Sequence, residues 1–423
     1  MKYWLTLLSL VLLPVVLPLQ AAEKCTIEHA PKGAQRIGPW VDQDNWLATE
    51  NLRIGVRSAD VFMPYLHIKS PVPSAALRAA PRQLSLDKIK AIDPLDQASR
   101  DISFLLDTRL YADGFLVLRD GKVLSEQYWH GLSAQQPRLL LGATRPLLSL
   151  MGAMAVAQGK LSPDRSIIRY VPALSSQTGL RKLSVQRLLE GNARFEWTPQ
   201  DISEWQAASG WTSGKADGGI RAWLNQAGRW KKELSDETLS TSTMTPDGDL
   251  LVWALSESYN SPLSQVFCDN LLGKLRPESS VRWFTDAQGT ELSSGLALSL
   301  RDFARLGQML VDARNSSNRS KIPSWFIETL SSSAGIRKTN HPELAGLRKG
   351  SESRYGFIHL GGAPNRIAIV GQNGNSLYVD FDQRLVIALF STYPRSSGPR
   401  MLATLEQLWD TLGSATQPAG KRR

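Results

Sequence analysis

Cysteine is almost missing from this chain: two in 423 residues, with no C-x-x-C pair. That excludes a disulfide-built scaffold and a structural zinc module. Histidine is scarce as well, and His29, His67, His341 and His359 fall at no metal-ligand spacing, so no metal or cofactor is expected. No segment repeats with a period of about 20 to 50 residues, which excludes solenoids and propellers. Beyond the N-terminus, no apolar run approaches the about 18 residues of a membrane span. The longest, Leu147 to Ala157, is interrupted by Ser149 and Gly152 and has the length of a buried core helix. The G-x-S-x-G elbow, the H-E-x-x-H helix and the P-loop are all absent. A single S-x-x-K, Ser85 to Lys88, precedes the first hairpin, opens no buried helix and reads as chance.

What is present is a chain that can fold. Apolar residues make up 42% and charged residues 21%, a balance that sustains a buried core. Met1-Lys2, the apolar run Leu5 to Leu19 and the pair Ala21-Ala22 have the layout of a secretory signal peptide, cut near Ala21 or Ala22. Pro14 and Pro18 interrupt that run, which is short for a membrane anchor. Ala-Glu-Lys precedes Cys25 where a lipoprotein signal wants small residues. The mature chain is therefore expected in a bacterial periplasm or secreted, with no membrane span. In that oxidising space Cys25 and Cys268 are either paired or free, and the sequence leaves both states open. Net charge is +10, but basic residues are scattered apart from Lys421-Arg422-Arg423. Export also argues against nucleic acid as a partner.

Residues 1–22 are the expected signal peptide, and 23–95, rich in Pro, Trp and charge, an N-terminal extension packing on the main domain. The main domain is expected over 96–412, with 413–423 as a flexible basic tail. Between Gly114 and Tyr128, two apolar runs flank Asp120-Gly121, a hairpin signal because the turn needs positive φ. A second hairpin is expected from Ser376 to Phe381 and from Arg384 to Ser391, across Asp382-Gln383. Pro146 to Gln158 predicts a buried helix. Arg301 to Ala313 predicts an amphipathic one with Phe303, Leu306 and Leu310 inward, opened by a Ser299–Asp302 capping box. Strands at both ends with helices between predict an α+β fold in three layers: an antiparallel sheet flanked by helices, with an inserted helical subdomain.

The arrangement resembles a known superfamily. Asp113-Gly-Phe-Leu-Val-Leu-Arg-Asp-Gly-Lys-Val, Glu126-Gln-Tyr-Trp-His-Gly131 and a helix ending Ala157-Gln-Gly-Lys-Leu161 are similar to class C β-lactamase and penicillin-binding-protein serine hydrolases. The closest branch is that of the 6-aminohexanoate-dimer hydrolases and related esterases. Tyr170-Val-Pro-Ala-Leu174, Phe195-Glu-Trp197, Trp283-Phe-Thr-Asp-Ala-Gln-Gly289 and Leu300-Arg-Asp-Phe-Ala-Arg-Leu-Gly307 extend the match, which runs from roughly Asp96 to Trp409. The resemblance implies a β-lactamase/transpeptidase-like fold. It also implies a buried helix that opens on S-x-x-K, a Tyr from a second motif, and a third motif of Lys-Thr-Gly or His/Gly-rich type.

At those positions this sequence departs. Aligned on the helix and on Gly159-Lys160, the nucleophile falls on Gly142 and the lysine on Arg145. Aligned on Asp249-Leu250-Leu251, the Tyr falls on Thr243, and the third motif on Gly371-Gln372-Asn373-Gly374. Glycine has no oxygen with which to form an acyl-enzyme. Arginine does not deprotonate at usable pH, and threonine's hydroxyl does not match a phenol in proton relay. Losing one member of such a unit commonly costs about 10⁴ to 10⁶ in rate.

Two readings follow. One is a non-hydrolytic pseudo-enzyme of the cell envelope, holding a small-molecule or peptide ligand, peptidoglycan-derived or otherwise anionic, at Gly142, Arg145, Gln372 and Asn373. The other is an amide or ester hydrolase with an unassigned nucleophile. Thr144 is turned about 200° from the nucleophile position, and Ser149 is expected to be buried on a backbone carbonyl. Arg145 has two roles open to it: a fork for an anion at a helix N-terminus, or a filler of the old lysine pocket paired with Asp247 or Asp249. His130 is expected at a structural or rim position. Trp197, Trp205, Trp211 and Trp223 are expected in core packing or lining a cleft.

Overall fold

The computed structural model describes residues 24–193, 195–214, 216–230, 244–315, 321–332, 344–395 and 398–417. The signal-peptide reading of 1–22 and the position Thr243 lie outside them.

The central sheet grows from its hairpins. Ala112–Arg119 and Lys122–Tyr128 pair across Asp120 and Gly121, whose φ values of +50° and +73° are the two left-handed positions of a tight hairpin turn. On the other side Ala112–Arg119 pairs with Leu385–Ser391, which pairs with Ser376–Asp380. That second hairpin is wider than its sequence suggests. Phe381 leaves the ladder because its N–H goes to Asn365 O (2.9 Å), and Arg384 makes the turn at φ +51°. Arg366–Val370, Phe357–His359 and Glu352–Arg354 continue the sheet, and Arg78–Ala79 closes the far edge in parallel with Lys122 and Val123.

Side-chain alternation makes the three layers. Phe115, Val117, Ile387 and Leu389 turn to one face, beneath Leu405, Leu408 and Trp409 of the helix Pro399–Ala415. Leu116, Leu118, Val386 and Phe390 turn to the other, against Phe303, Leu306 and Leu310 of the helix Leu300–Asn315. Stacked rings fasten each face, Tyr378 on Trp409 (5.2 Å) and Phe390 on Phe303 (5.8 Å). The α+β layering is thus the one expected.

Three details differ from expectation. The last helix runs through Ala415 with Gly413 buried, so the tail begins later than residue 413. Ser299 caps its helix by accepting from Asp302 N–H (3.1 Å), but Asp302 returns its bonds to the Ser299 hydroxyl and to Glu278 and Ser279 N–H. The N-terminal extension does more than pack. Its strands Thr26–Ala30 and Tyr65–Lys69 enter a second, five-stranded antiparallel sheet with Val281–Thr285, Glu291–Leu298 and Arg138–Leu139. A Cys25–Cys268 disulfide, with Cα atoms 6.2 Å apart, ties its start to the helical region.

Candidate functional site

The candidate site is the corner where the buried helix Arg145–Ala157 begins. Pro146 decides its local form. With no N–H, Pro146 cannot bond back to Gly142 O, so Arg145 N–H does so instead, closing a tighter 3₁₀ turn over Leu141–Thr144. Gly142 therefore lies in that turn, ahead of the α-helix rather than at its first position. Leu141 holds φ +52°, a conformation that costs a branched residue about 1 kcal/mol or more. Leu140 N–H on Leu296 O (2.9 Å) ties this turn to the second sheet.

The fold brings the third motif to the same corner. A Cβ on Gly371 would come within 2.9 Å of Ala143 N, so only glycine lets the two backbones approach this closely. Beyond it lies the turn Gln372–Gly374. Asn373, at φ +59°, is committed to that turn: its Nδ2 donates to Tyr393 O (3.0 Å) and Arg395 O (3.3 Å). Gln372 is half-buried, and its side chain has no hydrogen-bond partner among the described residues.

Arg145 is 4% exposed. Its Nη2 donates to Leu188 O, and Nη1 stands 3.8 Å from Asp247 Oδ2, while Nε and Nη1 have no hydrogen-bond partner. Burial pulls the guanidinium pKa down, and the neighbouring Asp247 and Asp249 push it back up. Glycine at 248 admits the Ser293 side chain: a Cβ there would lie 2.8 Å from Ser293 Oγ. Asp249 accepts from Ser293 N–H (2.7 Å) and Trp205 Nε1–H (2.8 Å). Burial nevertheless raises its pKa to about 6, helped by the Asp247 carboxylate. Arg145 is thus buried among two acids and a carbonyl.

At this corner the Ser293 side chain hydrogen-bonds the Asp249 carboxylate. Ser149 Oγ donates to Leu189 O (2.8 Å). Thr144 Oγ1 and Ser294 Oγ are buried and have no hydrogen-bond partner, so no base is bonded to either. Ser85 and Lys88 are exposed on a short turn. Trp205, Trp211 and Trp223 are buried, and the half-buried Trp197 packs on Trp223 and Trp230, so the tryptophans fill the core of the helical region. Among the described residues, no group of three or more His, Cys, Asp or Glu is placed to hold a metal.

One cluster escaped the sequence reading. Buried Asp113 is met by Arg138 Nη1 (2.5 Å), Arg53 Nε (2.7 Å) and His130 Nδ1 (3.1 Å), which makes His130 a structural partner. Asp113 lay in a recognised segment, but nothing local marked Arg53 and Arg138 as its partners.

No protein-family model matches the chain. It is similar to the 6-aminohexanoate-dimer hydrolase of Paenarthrobacter ureafaciens, 21% identical over 342 residues, spanning 76% of this chain and 83% of that one. A candidate 6-aminohexanoate-dimer hydrolase from Bacillus anthracis superposes with a TM-score of 0.75 at 18% identity, covering 90% of this chain and 98% of the other. A penicillin-binding-protein homologue from Pyrococcus abyssi gives 0.55 at 13% identity, over 74% and 76%. The resemblance drawn from the sequence is borne out: the chain has the fold of the β-lactamase and penicillin-binding-protein serine hydrolases.

Proposed function

We propose that this chain is a non-hydrolytic version of that fold, exported to the periplasm or beyond, which binds a ligand at the old catalytic corner instead of cleaving one. Gly142 carries the reading: where the superfamily holds its nucleophilic oxygen, this chain has a backbone turn with none. Arg145 supports it, because a permanently charged guanidinium committed to Leu188 O cannot take a proton. The Cys25–Cys268 disulfide fits the oxidising compartment to which the N-terminal signal would deliver the chain. Arg145 then serves as an internal strut and Asn373 as a turn brace. Gln372, half-buried and unpartnered, is the side chain left to meet a peptide or peptidoglycan-derived ligand.

A fluorophosphonate serine-hydrolase probe and intact-mass analysis after penicillin treatment test the loss of chemistry. The expected result is no adduct, with no turnover of nitrocefin or p-nitrophenyl esters above background. Stoichiometric labelling, mapped for instance to Thr144 or Ser294, would establish the hydrolase reading instead.

A further inference from the structure

A cavity lies away from this corner and shares no residue with it. It encloses about 240 Å³ between a strap of the N-terminal extension, the segment Asn270–Leu275, and the helix Leu300–Asn315 with Lys321 and Ile322 beyond it. For scale, an apolar cavity of roughly 150 Å³ admits benzene. The strap is held from below: Arg276 Nε donates to Pro73 O (3.0 Å), Arg305 Nη2 to Ala75 O, and Leu77 N–H to Glu278 Oε1 (2.8 Å). Those bonds keep Leu77 in place as one wall.

The lining divides into two chemistries. Leu77, Leu271, Leu275, Met309 and Ile322 supply an apolar body. Lys274 and Lys321 stand exposed at the mouth. Lys274 has no partner among the described residues, and Lys321 donates to the neutral Asp269 O (2.8 Å). Arg305 Nη2 is occupied by Ala75 O and Glu278 (2.5 Å), and its Nε, 3.7 Å from Asp302, is buried without a hydrogen-bond partner. Asp312, the one acid in the lining, accepts from Gln308 Nε2 (2.8 Å) and faces Arg384 at 3.8 Å.

We propose that this cavity binds a small amphipathic carboxylate. The body packs among the leucines and Met309, and the carboxylate meets Lys274 and Lys321. An N-acylated apolar amino acid has both features. The site does not depend on the reading of the Gly142 corner.

Calorimetric titration of the purified chain with N-acetyl-leucine, against N-acetyl-leucinamide as neutral control, tests it. The acid is expected to bind and the amide to bind roughly tenfold more weakly. Lys274→Gln with Lys321→Gln, both on exposed side chains, should reduce the acid to the amide's level, and added salt should do so in part. Gln372→Ala should change neither. No heat from the acid, equal binding of acid and amide, or indifference to the lysine variants would each overturn the proposal. Binding lost in Gln372→Ala alone would place the ligand at the other corner and overturn it as well.

Discussion

Arg138 and Arg145 flank the same turn, and both guanidinium groups are nearly withdrawn from water, yet their surroundings differ. Arg138 is 1% exposed, donates to Asp113 at 2.5 Å and to Ser391 O, and lies over the Phe390 ring at 5.4 Å. Arg145 donates to one carbonyl, meets Asp247 only at 3.8 Å, and keeps Nε and Nη1 without hydrogen-bond partners. A buried charge is tolerated in proportion to how completely it is paired. Arg138, with only its Nε lacking a hydrogen-bond partner, is the more closely paired of the two and joins the extension, the first hairpin and the last strand. Arg145 is buried with less of its charge met, by one carbonyl and a carboxylate at 3.8 Å.

The comparison breaks first at Arg138. Arg138→Ala leaves Asp113 buried with one fewer donor and should cost about 3 to 5 kcal/mol in denaturant unfolding. A loss under about 1 kcal/mol would mean that Arg53 and His130 suffice.

Asp249 gives the next largest effect. Its pKa is raised from 3.8 to about 6, so the folded state holds the proton more tightly than the unfolded chain. Its contribution to stability is fully present below about pH 4 and is lost as pH rises through about 6. The stability difference between wild type and Asp249→Asn should therefore shift against the wild type by ~2 kcal/mol across that window. A flat difference would show that the Ser293 and Trp205 donors hold the carboxylate ionised throughout.

Arg145 itself should matter less. Arg145→Met combined with Asp247→Asn is expected to change stability by less than about 1 kcal/mol, because a poorly paired buried ion pair gains little over an apolar filling. A loss comparable to that of Arg138→Ala would make Arg145 as fully integrated as Arg138, and the contrast would vanish.

The smallest expected effect is catalytic. Gly142→Ser with Arg145→Lys should stay at background on nitrocefin and esters. The third motif remains Gln372-Asn373, and Gln and Asn neither carry a positive charge nor titrate. Turnover in the double variant would show that the corner had kept its machinery and lacked only these two side chains.

Much of the fold was legible because its signals are local. Asp120-Gly121 demanded positive φ, alternation separated the two faces of the sheet, and the helix from Arg145 announced itself by apolar length. The width of the second hairpin was not legible, since Asn365 O, distant in sequence, draws Phe381 out of the ladder. At the site, that Gly142 has no side-chain oxygen and Arg145 no titrating amine follows from residue identity alone. Side-chain chemistry of that kind needs no coordinates.

Which way Arg145 turns was decided elsewhere. Its environment comes from Leu188, Asp247 and Gly248, far along the chain, and its conformational alternatives differ by only a few hydrogen bonds. The approach of Gly371 to Ala143, the meeting of Arg138 with Asp113, and the enclosure of a cavity by Leu77, Leu271 and Met309 are likewise long-range. Local patterns set the elements because backbone dihedrals and side-chain period act within a few residues. Pairing of buried charge and the shape of a cavity depend on which elements pack together, and that is settled only when the whole core closes.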